Sequence, residues 1–218
     1  VSFSLLVTML IGLPCMVGMM IFAQPILNLL FPNANEGALI LQVSALSIIF
    51  TVLNQTVNGA LQGLGKIYTP AIALMVGVAI KFILNLVLVP IEAIGAAGAA
   101  FATAACHAIA FAIGFSVLRR NMKIDLPFSK FIVKPFLATF AMAICSYAVY
   151  LLLGGINAGR MVTIISILIA IIIYALAIIA LKLFTKEELL MIPYGHKLYK
   201  ILLFLKFQLH ILDKSLYL

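Results

Sequence analysis

Lys81 is the single charged side chain in a long apolar stretch, residues 76–90. About ten residues at 1.5 Å each separate it from Pro70 on one side and Pro90 on the other. A lysine at the centre of a membrane-spanning helix costs about 2.5–3.5 kcal/mol to insert, so it is a candidate functional residue. The alternative is that its flexible stem carries the ammonium group to the membrane interface. At that depth a binding site for an anion is favoured, and Asn85 would share it because it lies one helical turn away.

Amide side chains form a second candidate group. Asn54, Asn58 and Gln62 are spaced four residues apart, so they share one face of a helix, with Gln55 beside them. One amide could simply join two helices, since hydrogen bonds between membrane helices contribute only about 0.6–2 kcal/mol each. Three on one face favour a polar cavity instead.

Residues 95–114 form a stretch of unusually small side chains. A ridge of small residues recurs at every fourth position: Gly98, Ala102, Cys106, Ala110 and Gly114. Such ridges let helix backbones approach closely, because van der Waals packing drives helix association in lipid. His107 lies on a neighbouring ridge near the middle of this span. It is either hydrogen-bonded to a neighbouring helix or a further member of the cavity.

The remaining reactive residue types do not form a catalytic or metal-binding pattern. The three cysteines fall in different apolar windows without a C-x-x-C pair, and the three histidines are not at ligand spacing. No pairing of a nucleophile with a base is evident. The sequence therefore predicts no metal site, no cofactor and no enzyme.

The elements that position these residues are membrane helices. The chain is 66% hydrophobic and only 9% charged, whereas soluble domains carry about 25% charged residues. Lys, Arg, Asp and Glu are excluded from windows 1–35, 37–65, 93–118, 135–159 and 161–181, and window 67–91 is interrupted only by Lys81. Each window exceeds the roughly 20 residues that span a bilayer. The sequence predicts an all-α integral membrane protein with six transmembrane helices.

Basic residues concentrate on one side of this arrangement. Alternate loops and the tail hold 12 of the 14 Lys and Arg residues, while the opposite loops hold Glu36, Glu92 and Arg160. By the positive-inside rule, both ends of the chain are expected in the cytoplasm. The net charge of +8 then predicts contact with anionic inner-leaflet lipids rather than with nucleic acid.

The organisation has three parts: four helices and a basic cytoplasmic loop in residues 1–134, two further helices in 135–184, and a tail in 185–218. In the tail, Thr185 and Glu188 form a capping box, and leucines then recur at helical spacing among lysines. This pattern predicts an amphipathic helix in the cytoplasmic interface, with a solubilising tail as the alternative. Val1 is not an initiator methionine, so the chain is expected to be a fragment that lacks an N-terminal part.

Three motifs carry a resemblance to a known family: L-Q-G-L-G-K at 61–66, K-x-x-x-N at 81–85 and G-A-A-x-A-T at 98–103. With them the chain resembles the stage V sporulation protein B family. That family belongs to the polysaccharide-transporter branch of the superfamily that also contains multidrug extruders and MurJ-type lipid II flippases. The third motif is an imperfect match: the family pattern has a small or apolar residue between G-A-A and A-T, and here Phe101 fills that position.

The resemblance implies a two-lobed transporter of 12–14 helices, of which this chain would be the C-terminal part. It implies outward movement of an undecaprenyl-pyrophosphate-linked sugar, such as a peptidoglycan precursor in a spore-former, across the bacterial cell membrane. Lys81 would attract the pyrophosphate, and Asn54, Asn58, Gln62 and Asn85 would bind phosphate or sugar hydroxyls. A multidrug or cation antiporter of the same fold and a non-transporting scaffold for wall synthesis remain alternatives.

Overall fold

A computed structural model of the protein describes residues 1–31, 37–92, 94–124, 127, 129–154, 160–181 and 183. These residues form α1 (Ser2–Ile21), α2 (Ala23–Leu30), α3 (Ala38–Gly63), α4 (Tyr68–Leu88), α5 (Gly95–Asn121), α6 (Lys134–Leu152) and α7 (Arg160–Ala180), with a π-helical turn, Ser129–Val133, leading into α6. Six of these helical segments are long and apolar enough to cross a membrane. The described part of the chain contains no β-strand, and the prediction of an all-α membrane bundle is confirmed.

The first apolar window contains more than one helix. Pro25 has no N–H to donate to the carbonyl of Ile21, so the helical hydrogen-bond ladder is interrupted at this point. The backbone of Phe22 leaves the helical region with φ −93° and ψ 17°, and α2 begins at the next residue. Window 1–35 therefore holds a 20-residue span followed by a helix of only 8 residues.

The helices pack in a row. From one side of the bundle to the other the order is α4, α5, α3, α1, α6 and α7, and α2 touches both α3 and α7. The main apolar core lies between α1, α3 and α5 and consists of Leu5, Leu13, Ile49, Leu53, Val57, Leu61 and Leu118. Because α5 lies between α3 and α4, and those two helices have few contacts with each other, a groove runs along one side of α5.

The predicted ridge of small residues in α5 is buried along its whole length. Gly98, Ala102, Cys106, Ala110 and Gly114 all lie in contact with neighbouring helices. Large side chains would separate these helices, so the small residues give α5 its central position.

The L-Q-G-L-G-K motif forms the C-terminal cap of α3. The N–H of Lys66 donates to the carbonyl of Leu61, and that of Gly65 to the carbonyl of Gln62, each at 2.9 Å. This is the Schellman arrangement, which needs a left-handed residue, and Gly65 supplies it at φ +76°. The motif therefore turns the chain sharply from α3 into α4. The tail predicted for 185–218, including its capping box, lies outside the described residues.

Candidate functional site

Two close contacts fix the register of α4 on α5. A Cβ atom added to Gly77 would lie 2.6 Å from the carbonyl oxygen of Cys106, and one added to Gly98 would lie 2.8 Å from Cβ of Leu88. As the residue number rises on α4 it falls on α5, so the two helices are antiparallel. At Gly77 the two backbones approach as closely as a glycine allows.

A third contact joins α3 to α5, two helices that run in the same direction because α4 reverses the chain between them. A Cβ atom on Gly114 would lie 3.1 Å from Val57 and 3.7 Å from Leu61. His107 lies seven residues before Gly114, which is about two turns, so it lies on the same face of α5. His107 therefore lies on the side of α5 that faces α3, at the height of the middle of α3.

Lys81 is half-buried on α4, one turn after Gly77. It lies near Cys106, the residue against which Gly77 packs. Within the described part of the chain the only acidic residue is Glu92, which is exposed beyond the end of α4, and Lys81 forms no ion pair there. The ammonium group lies beside α5 without a counter-charge from any described residue.

Four predicted site residues share an unusual property, which is a buried polar atom without a hydrogen-bond partner among the described residues. These atoms are Oδ1 of Asn54, Asn58 and Asn85 and Nδ1 of His107. Leaving a buried polar atom unpaired costs about 1–3 kcal/mol. Most buried polar atoms in proteins have a hydrogen-bond partner. Four unpaired atoms on three adjacent helices therefore indicate a site whose residues do not serve the stability of the fold.

The side chains of this set point to one side of α5. At about 100° per residue, Lys81 and Asn85 lie about 40° and 80° from Gly77, and Asn54 and Asn58 lie about 60° and 100° from Val57. Because α4 runs antiparallel to α5 and α3 parallel to it, these rotations turn both pairs toward the same groove. We call this the polar groove and define it by Asn54, Asn58, Lys81, Asn85 and His107.

The polar groove extends along the helix axis and is not a single point. Counted from the contact of Gly77 with Cys106, Lys81 lies at the height of about residue 102 of α5. Counted from the contact of Gly114 with Val57, Asn58 lies at the height of about residue 115. The difference of about 13 residues corresponds to about 20 Å along the axis. His107 lies between these two levels. The structure thus places Lys81 with Asn85 at one level and the amides of α3 at another.

Two predicted residues lie at the margin of this set. Gln55 and Gln62 are exposed on α3, whereas Asn54 is 6% exposed. Sequence reasoning grouped Asn54, Asn58 and Gln62 by spacing alone, and spacing does not tell which member of a face meets a neighbouring helix.

The end of α5 carries a basic pocket of about 420 Å³, lined by Arg119, Arg120, Asn121, Met122, Lys123 and Ile124. Both arginines belong to the last turn of α5, where positive charge is favourable for the helix dipole. This pocket lies in the loop that the sequence predicts to face the cytoplasm.

Sequence reasoning missed a polar contact at the opposite side of the bundle. The hydroxyl of Tyr174 donates to the backbone carbonyl of Leu10 at 2.6 Å. The available signal was Pro14, because a proline inside a helix leaves the carbonyl four residues earlier without its donor.

Comparison with known proteins gives a family model and relatives that match most of the chain. The family model for the lipid II flippase MurJ matches residues 1–172. The chain is 32% identical over 207 residues to the uncharacterized membrane protein YabM of Bacillus subtilis, covering 92% of this chain and 38% of that protein. It is 30% identical over 190 residues to the probable lipid II flippase MurJ of Thermotoga maritima, covering 84% of this chain and 38% of that protein. The chain thus spans less than two-fifths of the length of these relatives.

Proposed function

Because the chain belongs to the MurJ lipid II flippase family, we propose that it forms part of a flippase that moves an undecaprenyl-pyrophosphate-linked oligosaccharide across the cell membrane. Members of such a family transport a substrate without changing its covalent structure, so the proposal assigns no catalytic residue. The finer assignment, to the stage V sporulation protein B branch and a peptidoglycan precursor for the spore wall, rests on the motifs at 61–66, 81–85 and 98–103.

The observation that carries the proposal is the polar groove, whose cation has no counter-charge and whose polar atoms have no hydrogen-bond partner among the described residues. A pyrophosphate offers negative charge and acceptor oxygens, which suit the ammonium group of Lys81 and the amide N–H groups of Asn85. Sugar hydroxyls donate as well as accept, which suits the unpaired amide oxygens of Asn54 and Asn58. The axial separation of about 20 Å lets an extended headgroup contact both levels or pass from one to the other.

The same proposal gives the chain its orientation. Both termini lie on the cytoplasmic side, and Arg119, Arg120 and Lys123 face anionic lipids of the inner leaflet. The polar groove lies beside α5, and in a transporter whose two halves rock about a central site it would face the other half.

A multidrug or cation antiporter of the same fold is the second candidate. Such a transporter needs an intramembrane carboxylate to bind its proton or cation. In the described residues the one carboxylate is that of Glu92, beyond the end of α4. The polar groove holds a cation instead, which favours an anionic substrate. A non-transporting scaffold would leave Lys81 dispensable.

The test is complementation of a flippase-deficient strain by the intact protein. Lys81→Arg is expected to retain part of the function, because the charge remains while its geometry changes. Lys81→Met is expected to abolish complementation without loss of thermal stability, because it removes a poorly solvated charge. Lys123→Met, at an exposed position, is the matched control and should complement.

Two results would contradict the role of Lys81. Full complementation by Lys81→Met would show that the charge is dispensable, as a scaffold requires. Unfolding of Lys81→Met would indicate instead a structural ion pair, since breaking a buried pair costs about 3–5 kcal/mol.

A further inference from the structure

We infer that the hydroxyl of Tyr174 replaces the hydrogen-bond donor that Pro14 removes from α1, and that it thereby couples the pair α6 and α7 to α1, the helix that packs against α3. Pro14 lies inside α1 and has no N–H, so the carbonyl of Leu10 loses the donor that the helix would otherwise supply. Tyr174 donates to that same carbonyl at 2.6 Å from a helix 164 residues away in sequence.

The surroundings of Tyr174 make this hydrogen bond specific. The hydroxyl of Thr139 on α6 lies near the hydroxyl of Tyr174. Thr139 is itself 2% exposed and donates to the carbonyl of Pro135 at 2.8 Å. Three helices therefore place polar groups at one point in an otherwise apolar interior, where an unpaired hydroxyl or carbonyl is costly.

The part of α1 before Pro14 packs directly against the helix that carries Asn54 and Asn58. Thr8 and Thr56 share a hydrogen bond of 2.6 Å, and a Cβ atom on Gly12 would lie 2.7 Å from Val52 of α3. Both contacts lie on the N-terminal side of Pro14, so a change of the α1 backbone at Pro14 would shift them relative to the rest of α1. Movement of the pair α6 and α7 is thus transmitted through α1 to α3. This coupling holds whichever substrate the polar groove takes.

A double-mutant cycle in the intact protein tests whether Tyr174 acts through the proline. Tyr174→Phe removes only the hydroxyl and is expected to lower the melting temperature by a few degrees. Pro14→Ala restores an N–H at position 14, so the carbonyl of Leu10 regains a partner within α1. In that background Tyr174→Phe should lower the melting temperature by less than half as much. Equal shifts in both backgrounds would overturn the inference.

A distance measurement tests whether Tyr174 fixes the backbone of α1 around Pro14, and it does not depend on stability. Spin labels at Ser4 and Gly18, in a background without the native cysteines, report the end-to-end distance across Pro14. Tyr174→Phe is expected to shift or broaden this distance distribution. Tyr147→Phe is the matched control, since Tyr147 is 47% exposed on α6, and it should leave the distribution unchanged. A Tyr174→Phe distribution that superimposes on that of the parent protein would refute the coupling.

Discussion

The polar groove combines one cation with neutral amides and one imidazole, a composition that favours one class of ligand. Lys81 supplies charge, while Asn54, Asn58 and Asn85 supply groups that both donate and accept hydrogen bonds. Their buried oxygens have no hydrogen-bond partner among the described residues, so each side chain is expected to lower the stability of this part of the protein. Residues that reduce stability without a structural gain are typical of functional sites.

Asn54→Leu tests this balance between stability and function. Leucine has the same branched shape and number of side-chain heavy atoms and no unpaired polar atom, so the melting temperature should stay the same or rise. If Asn54 binds substrate through one hydrogen bond worth about 0.5–1.5 kcal/mol, the transport rate should fall about two- to tenfold. The measurements are thermal unfolding in detergent and transport by the intact protein.

Gln42→Leu is the matched control for that prediction. The Nε2 atom of Gln42 donates to the carbonyl of Met20 at 3.2 Å, so here the substitution removes an existing hydrogen bond. It should lower the melting temperature and leave transport per folded molecule unchanged. A loss of stability in Asn54→Leu as large as that in Gln42→Leu would mean that Asn54 has a structural partner.

At the scale of the helices, α3 and α4 both pack against α5. Glycines at 77, 98 and 114 allow close approach, and the tightest contact joins Gly77 to the backbone of Cys106. Because Lys81 lies one turn beyond Gly77, the same contact fixes the depth of the charge in the bundle. The packing of α4 on α5 and the position of the candidate site are therefore linked.

Gly77→Ala should disrupt this contact. The added Cβ atom would lie 2.6 Å from a backbone oxygen, which cannot rotate away as a side chain can. Overpacking of this kind costs about 1–3 kcal/mol, so the amount of folded protein in the membrane should fall. Gly59→Ala is the control, because its Cβ atom would meet nothing within 4 Å and alanine favours the helix. Equal abundance of both variants would contradict the close approach of α4 and α5.

The sequence predicted the helices and some of their faces, but not their partners. Apolar windows located six spans, and spacing of four identified the small ridge of α5, because both follow from the helical repeat. The helix break at Phe22 was missed, since Pro25 alone does not distinguish a kink from an end. The contact of Tyr174 with Leu10 depends on packing between distant helices, which no local pattern encodes.

At the scale of the whole molecule, the polar groove lies near one end of the row of helices, along α5. Most large side chains of α4, among them Met75, Phe82 and Leu86, are exposed, as expected for a surface that meets lipid or another part of the protein. The chain spans 38% of the length of the two relatives named above. We therefore propose that the intact protein moves the substrate and that this part of it contributes the polar groove.

Transport in reconstituted vesicles tests this assignment most directly. The intact protein is placed in vesicles that contain a labelled undecaprenyl-pyrophosphate-linked sugar, and the appearance of the label in the opposite leaflet is timed. We expect Lys81→Met to slow this movement at least about tenfold, because hydrogen bonds to a charged group contribute about 1.5–3 kcal/mol. Lys81→Arg should give an intermediate rate. Movement by the unsubstituted protein no faster than in protein-free vesicles, or an unchanged rate in Lys81→Met, would contradict the account.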